Sequence, residues 1–263
     1  MHKSLFLLGV GFLILSGFGF KENAIKFHKI KEQKLNCYDL LGDEEKYKLE
    51  AIKGFEISDF ISYGNYKIYL NAIQKDSSTS FYVSQLPDST MCFKKEYDIY
   101  LNSTEYDLFP VVGVSWDAAM NFCKWKTKQD NKNGKLSFIY SLPTAEEWLA
   151  ATKLKGNKID INSNYSDWIL TTKDESVFYY SAEFNVPFYS YIYFHKQDDP
   201  PVLKRKIAIG NSFLFKQKKL KNFFTYSYYS NHGYKHIAFR IVKKDIKENN
   251  STLINSILNF WGL

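Results

Sequence analysis

Two helix starts separated by a strand, all within residues 109–154, constrain the fold of this sequence more than any other stretch. Ser115 follows an apolar run, and its hydroxyl is placed to cap a helix whose first turn carries Asp117. Apolar side chains then recur at helical spacing, namely Trp116, Ala119, Met120 and Cys123. The pattern predicts a helix with a buried apolar face.

A strand and a second helix follow directly. Apolar side chains alternate with polar or small ones at Leu136, Phe138, Tyr140 and Leu142, a period of two that is typical of a half-buried strand. Thr144 and Glu147 form a capping box, in which each side chain accepts a hydrogen bond from the other residue's backbone amide. The sequence therefore predicts a helix–strand–helix unit.

The segments PVVGVSWDAAMNFCKW (110–125) and YSLPTAEEW (140–148) resemble the signature of the formylglycine-generating enzyme, or sulfatase-modifying factor, family. Weaker matches lie in the expected order at residues 55–70 and 238–242, so the resemblance covers about residues 45–244. It implies an α+β, C-type-lectin-like domain with small antiparallel sheets, a few helices and much irregular loop.

The ends of the chain differ in composition from this domain. Met1-His2-Lys3 and the apolar residues 5–20 predict an export signal or a retained membrane anchor. The predicted organisation is a signal or anchor over 1–20, a polar spacer over 21–44, the domain over 45–244 and an amphipathic tail over 245–263.

The tail carries an apolar stripe with almost no charge: Leu253, Ile254, Ile257, Leu258 and Trp261. Such a stripe docks on its own domain, binds a partner or lies on a membrane surface, and the sequence leaves these alternatives open. The formal charge of +7 is spread over an aromatic-rich globular sequence, which argues against nucleic acid as a partner.

The cysteines and histidines of the sequence form no recognisable metal-binding or catalytic pattern. Three cysteines allow at most one internal disulfide, for which Cys37 and Cys92 are the candidates, while Cys123 is predicted to be buried. His232 and His236 would share a metal only on a helix, which the intervening glycine disfavours. We therefore predict no metal site and no cofactor.

The resemblance implies a pair of late cysteines that bind copper near an RGGS-F motif. Here the corresponding segment is 209–213, and Phe215 and Leu220 stand where the two cysteines would fall. No cysteine follows Cys123, and carbon side chains cannot replace the thiolates that Cu(I) requires. No catalytic residue is predicted.

These observations predict an exported, non-enzymatic sulfatase-modifying-factor-like protein, acting as a structural or interaction subunit with envelope proteins at the bacterial cell envelope. The resemblance extends this expectation to gliding motility and type IX secretion, in which family members without the cysteines take part. One alternative is a lectin-like module that recognises glycan or peptide through exposed aromatics. The other is a divergent oxidase that uses Cys92 and Cys123.

Overall fold

The computed structural model describes residues 24–36, 49–91, 94–131, 135–153, 163–172, 192, 194–214, 225–246 and 252–263. Within these ranges the chain forms ten strands: β1 (Phe27–Ile30), β2 (Gln33–Asn36), β3 (Leu49–Ile52), β4 (Phe55–Ser58), β5 (Phe138–Ser141), β6 (Ser166–Thr172), β7 (Arg205–Ile209), β8 (Thr225–Tyr229), β9 (Ile237–Ala238) and β10 (Val242–Asp245). The same ranges contain six α-helices: α1 (Tyr63–Asp76), α2 (Thr79–Gln85), α3 (Lys94–Asn102), α4 (Trp116–Asp130), α5 (Ala145–Lys153) and α6 (Thr252–Trp261).

The first sheet joins segments from the whole length of the chain. Its strand order is β1-β4-β10-β5, and every pair is antiparallel. Val242 of β10 lies opposite Ile57 on one side and Ser141 on the other. The beginning, middle and end of the domain therefore meet in one sheet.

Strands β1 and β2 correct the prediction of a polar spacer over residues 21–44. β1 is an edge strand of the first sheet, and β2 pairs with β3. Ile30 is fully buried, and the Phe27 ring stacks on Tyr140 with centroids 5.7 Å apart. The partly exposed His28 and the exposed Lys29, which stand between these apolar residues, hid the strand in the sequence.

A second sheet has the order β8-β7-β6-β9 and is antiparallel except for the β6–β9 pair. The prediction of an α+β domain with small antiparallel sheets is confirmed, with the parallel β6–β9 pair as an exception. Residues 74–105 contain α2 and α3.

Both predicted helix caps are present. The Ser115 hydroxyl accepts a hydrogen bond from the Ala118 amide at 3.1 Å and begins α4. At α5, the Glu147 amide donates to the Thr144 hydroxyl at 3.2 Å, while the Thr144 amide donates to the Glu147 carboxylate at 2.9 Å. Trp116 of α4 and Trp148 of α5 are buried in the core.

The C-terminal helix α6 packs on its own domain. Ile254, Ile257 and Trp261 are buried in the larger of the two apolar clusters, whereas Leu253 and Leu258 are partly buried against it. Of the alternatives left open for the tail, docking on the domain is the one seen. Contact with a membrane surface would require these side chains to leave the core.

No helix among the described residues is long and apolar enough to cross a membrane. The predicted signal or anchor over residues 1–20 lies outside the described residues, and export stays a prediction.

Candidate functional site

The site is built on a buried ion pair that joins strand β6 to one of the segments carrying the family resemblance. Arg240 follows β9, and its Nε donates to Asp167 Oδ1 of β6 at 3.1 Å. The Trp148 indole of α5 donates to the second carboxylate oxygen at 2.8 Å. Burial raises the pKa of the Asp167 carboxyl, although Arg240 and Trp148 oppose that shift. The network fixes three elements relative to one another.

The segment 209–213, which the family resemblance aligns with an RGGS-F motif, rests on this network. Gly210 has a φ of +96°, and a Cβ at this position would lie 3.0 Å from Trp148 Cζ2. The Ser166 hydroxyl donates to the Gly210 carbonyl at 3.1 Å, and the Phe213 amide donates to the Asn164 carbonyl at 2.9 Å. Glycine is therefore required by both the backbone conformation and the close approach of the indole.

Above the ion pair lies a row of rings, Phe60, Tyr165 and Phe213, which we call the aromatic ridge. The Arg240 guanidinium sits 3.8 Å from the centroid of Phe60. Phe60 meets Tyr165 edge-on at 6.2 Å, and Tyr165 meets Phe213 edge-on at 6.4 Å. Phe213 is 42% exposed, and Leu214 beside it is 48% exposed. A rigid charged base thus supports an exposed apolar surface.

His236 closes one end of the ridge. Its ring lies 6.4 Å from Phe213, and its Nε2 is 2.9 Å from the Tyr228 hydroxyl. Burial and the nearby Lys235 lower the pKa of His236, which favours the neutral imidazole. His232 is exposed and contacts Asn231. In the ranges that the structure covers, no three His, Cys, Asp or Glu side chains are arranged to hold a metal.

Cys123 is the one cysteine within the described residues, and it lies inside α4 with no exposed surface. Burial raises the pKa of its thiol, so the side chain is a neutral apolar group rather than a thiolate. Cys37, Cys92, Phe215 and Leu220 lie outside the described residues. The structure therefore places one cysteine of the alternative Cys92–Cys123 pair in the core.

A second polar cluster was not predicted from the sequence. His195 Nε2 lies 3.2 Å from Asp117 Oδ1, and the Ser230 hydroxyl donates to Asp117 Oδ2 at 2.9 Å. Ser230 Oγ is 3.4 Å from the same histidine nitrogen. A catalytic relay needs the serine and the carboxylate on opposite ring nitrogens, whereas here both meet Nε2. The cluster ties the loop before β7 to the start of α4.

The sequence profile of the family described as Sulfatase-modifying factor enzyme 1-like domain matches residues 42–184, more than half of the chain. The chain belongs to this family. The family resemblance found in the sequence is thereby confirmed. No curated protein matches the sequence significantly.

Solved structures show the same fold. The crystal structure of CarF is 14% identical to this chain, with a TM-score of 0.52 and coverage of 84% of this chain and 98% of CarF. The structure of PvdO from Pseudomonas aeruginosa is 13% identical, with a TM-score of 0.52 and coverage of 86% and 97% respectively. At these identities the likeness concerns the fold.

Proposed function

We propose that this sulfatase-modifying-factor-like protein is non-catalytic and serves as an exported structural or interaction subunit of the bacterial cell envelope. The observation that carries the proposal is the burial of Cys123, in a chain that has no cysteine after it. Copper-dependent oxidation by this family requires accessible thiolates, and a neutral core thiol cannot supply one. A role in gliding or type IX secretion is the finer form of the proposal and is supported by the family resemblance alone.

The aromatic ridge and Leu214 are the partner surface in this proposal. Exposed aromatic rings give a large contact area at a low cost in side-chain entropy, and they are enriched where proteins bind one another. The Asp167–Arg240 pair beneath the ridge keeps Phe60 in place, because the guanidinium packs on its ring. A rigid surface loses little conformational freedom on binding.

The absence of catalysis is tested with purified full-length protein, Cu(I), oxygen and a sulfatase peptide that contains the substrate cysteine. We expect mass spectrometry to show no conversion of that cysteine to formylglycine. An active enzyme of the family, assayed in parallel, is the positive control. Conversion that depends on copper and on this protein would contradict the proposal.

The partner surface is tested by cross-linking in the native envelope. Wild-type protein is compared with a Phe213→Ser, Leu214→Ser double variant and with Val83→Ser, which alters an apolar residue that is 57% exposed outside the ridge. We expect a defined set of envelope proteins with wild type and Val83→Ser, and its loss with the double variant. An unchanged set would exclude the ridge as the contact, and failure of wild type to capture any envelope protein would overturn the scaffold role.

A lectin-like binding module is the second candidate function. Two observations favour it: the Phe213 ring is exposed, and the exposed residue Asn164 lies beside the same ridge. An aromatic surface next to hydrogen-bonding groups is the arrangement by which small polar ligands are held.

A further inference from the structure

Two adjacent apolar side chains, Leu108 and Phe109, are exposed at the turn that follows α3, and we call them the apolar pair. Leu108 is 77% exposed and Phe109 is 57% exposed, so Leu108 is the most exposed large apolar side chain among the described residues. Single exposed apolar residues are ordinary on protein surfaces. Two neighbouring ones in a single turn indicate a surface that contacts something apolar.

The backbone of this turn is bonded to the start of α1. The Tyr63 amide donates to the Phe109 carbonyl at 2.9 Å, and the Gly64 amide donates to the Asp107 carbonyl at 2.9 Å. The Lys67 ammonium lies 2.7 Å from the Asp107 carboxylate. A Cβ at Gly64 would lie only 3.0 Å from the Asp107 carbonyl oxygen, so the two segments are in close contact. The apolar pair is therefore held at a defined position on the domain.

The chain enters the domain beside the apolar pair. Ala24 and Ile25, the first two described residues, line one small cavity together with Leu108. In sequence, only three residues separate Ala24 from the end of the apolar run 5–20. Because an extended chain advances at most 3.6 Å or so per residue, the end of that run lies within about 14 Å of Ala24. Any surface that holds the run therefore also lies close to the apolar pair.

The charged groups around the apolar pair do not favour a partner of either sign. Glu105 on the same turn and Lys26 at the chain entry are both exposed, and their charges are opposite. Asp59, which lines the same cavity as Lys26, is paired with His28 at 2.7 Å. Binding at this position therefore depends on the apolar side chains themselves. A lipid bilayer is the apolar surface that the adjoining run 5–20 is predicted to enter.

We propose that Leu108 and Phe109 insert into the surface of a lipid bilayer and orient the domain on it. The inference rests on the envelope location in the proposed function and on the membrane anchor predicted over residues 1–20. The anchor alone is a single tether, about which the domain could rotate. The apolar pair supplies a second point of contact, so the face at which the chain enters lies against the lipid.

The test is fluorescence quenching in full-length protein reconstituted into phosphatidylcholine vesicles, with and without bromine on the acyl chains. Leu108→Trp and Phe109→Trp each place a fluorescent reporter at the apolar pair. Val83→Trp is the control, because Val83 is 57% exposed and lines a different cavity. Wild type gives the background of the five native tryptophans. Side chains inserted at an interface lie at the boundary of headgroups and acyl chains, so bromine should reduce the fluorescence of the reporters at 108 and 109 about twofold and leave that at 83 nearly unchanged.

Thermal unfolding establishes that each variant is folded. The inference is overturned if the reporters at 108 and 109 are quenched no more than the reporter at 83, or if mass spectrometry of protein from the native envelope shows that residues 1–20 have been removed. A second copy of the chain as the occupant would give unquenched reporters and a dimer that dissociates in a Leu108→Ser, Phe109→Ser double variant. None of these results bears on capture of envelope proteins through Phe213 and Leu214, so failure of this inference and failure of the scaffold role are distinguishable.

Discussion

Arg240 and Asp167 are 73 residues apart in sequence, and they form an ion pair whose side chains are almost wholly removed from solvent. Taking two charges out of water is costly, so the pair is maintained only with good geometry and further hydrogen bonds. The Trp148 indole supplies one such bond. Each member of the pair therefore depends strongly on the presence of the other.

We expect Arg240→Met to lower the free energy of unfolding by about 3–5 kcal/mol, because Asp167 would be left buried without its partner. Urea denaturation measures the change. Lys243→Met is the control, since Lys243 is 35% exposed in its pair with Glu56 and should contribute less than about 1 kcal/mol. If both variants lose a similar amount of unfolding free energy, the buried pair stabilises the fold no more than the exposed pair does.

Lys206 is a buried lysine that makes the stability of the protein depend on pH. It is fully buried, with its Nζ 4.5 Å from the Trp116 ring and 3.3 Å from the Thr172 hydroxyl. Burial lowers the pKa of Lys206 from 10.5 to about 8, while Asp117 and Asp199 oppose that shift. Between these two values the unfolded chain binds more protons than the folded one, so this lysine makes stability rise with pH.

We therefore expect the free energy of unfolding of wild type, relative to Lys206→Met, to increase between pH 8 and pH 10. Tyrosines buried in the core titrate in both proteins, so their contribution cancels in the difference. Lys128→Met, at an exposed position of α4, should show no such trend relative to wild type. Chemical denaturation at a series of pH values gives both comparisons, and a flat difference for Lys206→Met would contradict the assignment.

At the scale of elements, the sequence predicts best where the signal is local. The Ser115 cap and the Thr144–Glu147 box act within three residues of themselves, and both occur as predicted. β1 was missed because its outward-facing residues are polar, and its identity as a strand depends on β4, whose sequence lies some distance along the chain. A helix start can be predicted from side chains a few residues apart, whereas an edge strand can be recognised only with the strand it pairs with.

The C-terminal helix α6 supports a prediction of its own. Ile257 has no exposed surface and packs in the larger apolar cluster, so Ile257→Ala should lower the free energy of unfolding by about 2–5 kcal/mol. Asn255→Ala, at an exposed position of the same helix, should change stability little. Thermal or urea unfolding measures the stability of both variants. Equal stability would mean that α6 is not part of the folded core.

At the scale of the whole molecule, the candidate site depends on contacts that no local pattern contains. The ion pair joins β6 to the residues after β9, and the Asp117–His195–Ser230 cluster joins three separate segments. The family resemblance located the motifs that converge at the ridge. It could not predict which side chains stay exposed, because exposure depends on how distant segments pack.

The first sheet has β1 as its edge strand, and β2 pairs with β3, so the segment that precedes the family motifs is part of the folded domain. A chain beginning at residue 45 would keep every motif of the family resemblance but lose β1 and β2, and with them the buried Ile30 and the Phe27–Tyr140 stack. Burial of one isoleucine alone is worth about 1.5–3 kcal/mol. We expect this chain to unfold at a clearly lower urea concentration than one beginning at residue 24, which retains both strands. If the two chains unfold at the same urea concentration, residues 24–36 contribute nothing to stability and act only as a spacer before the domain.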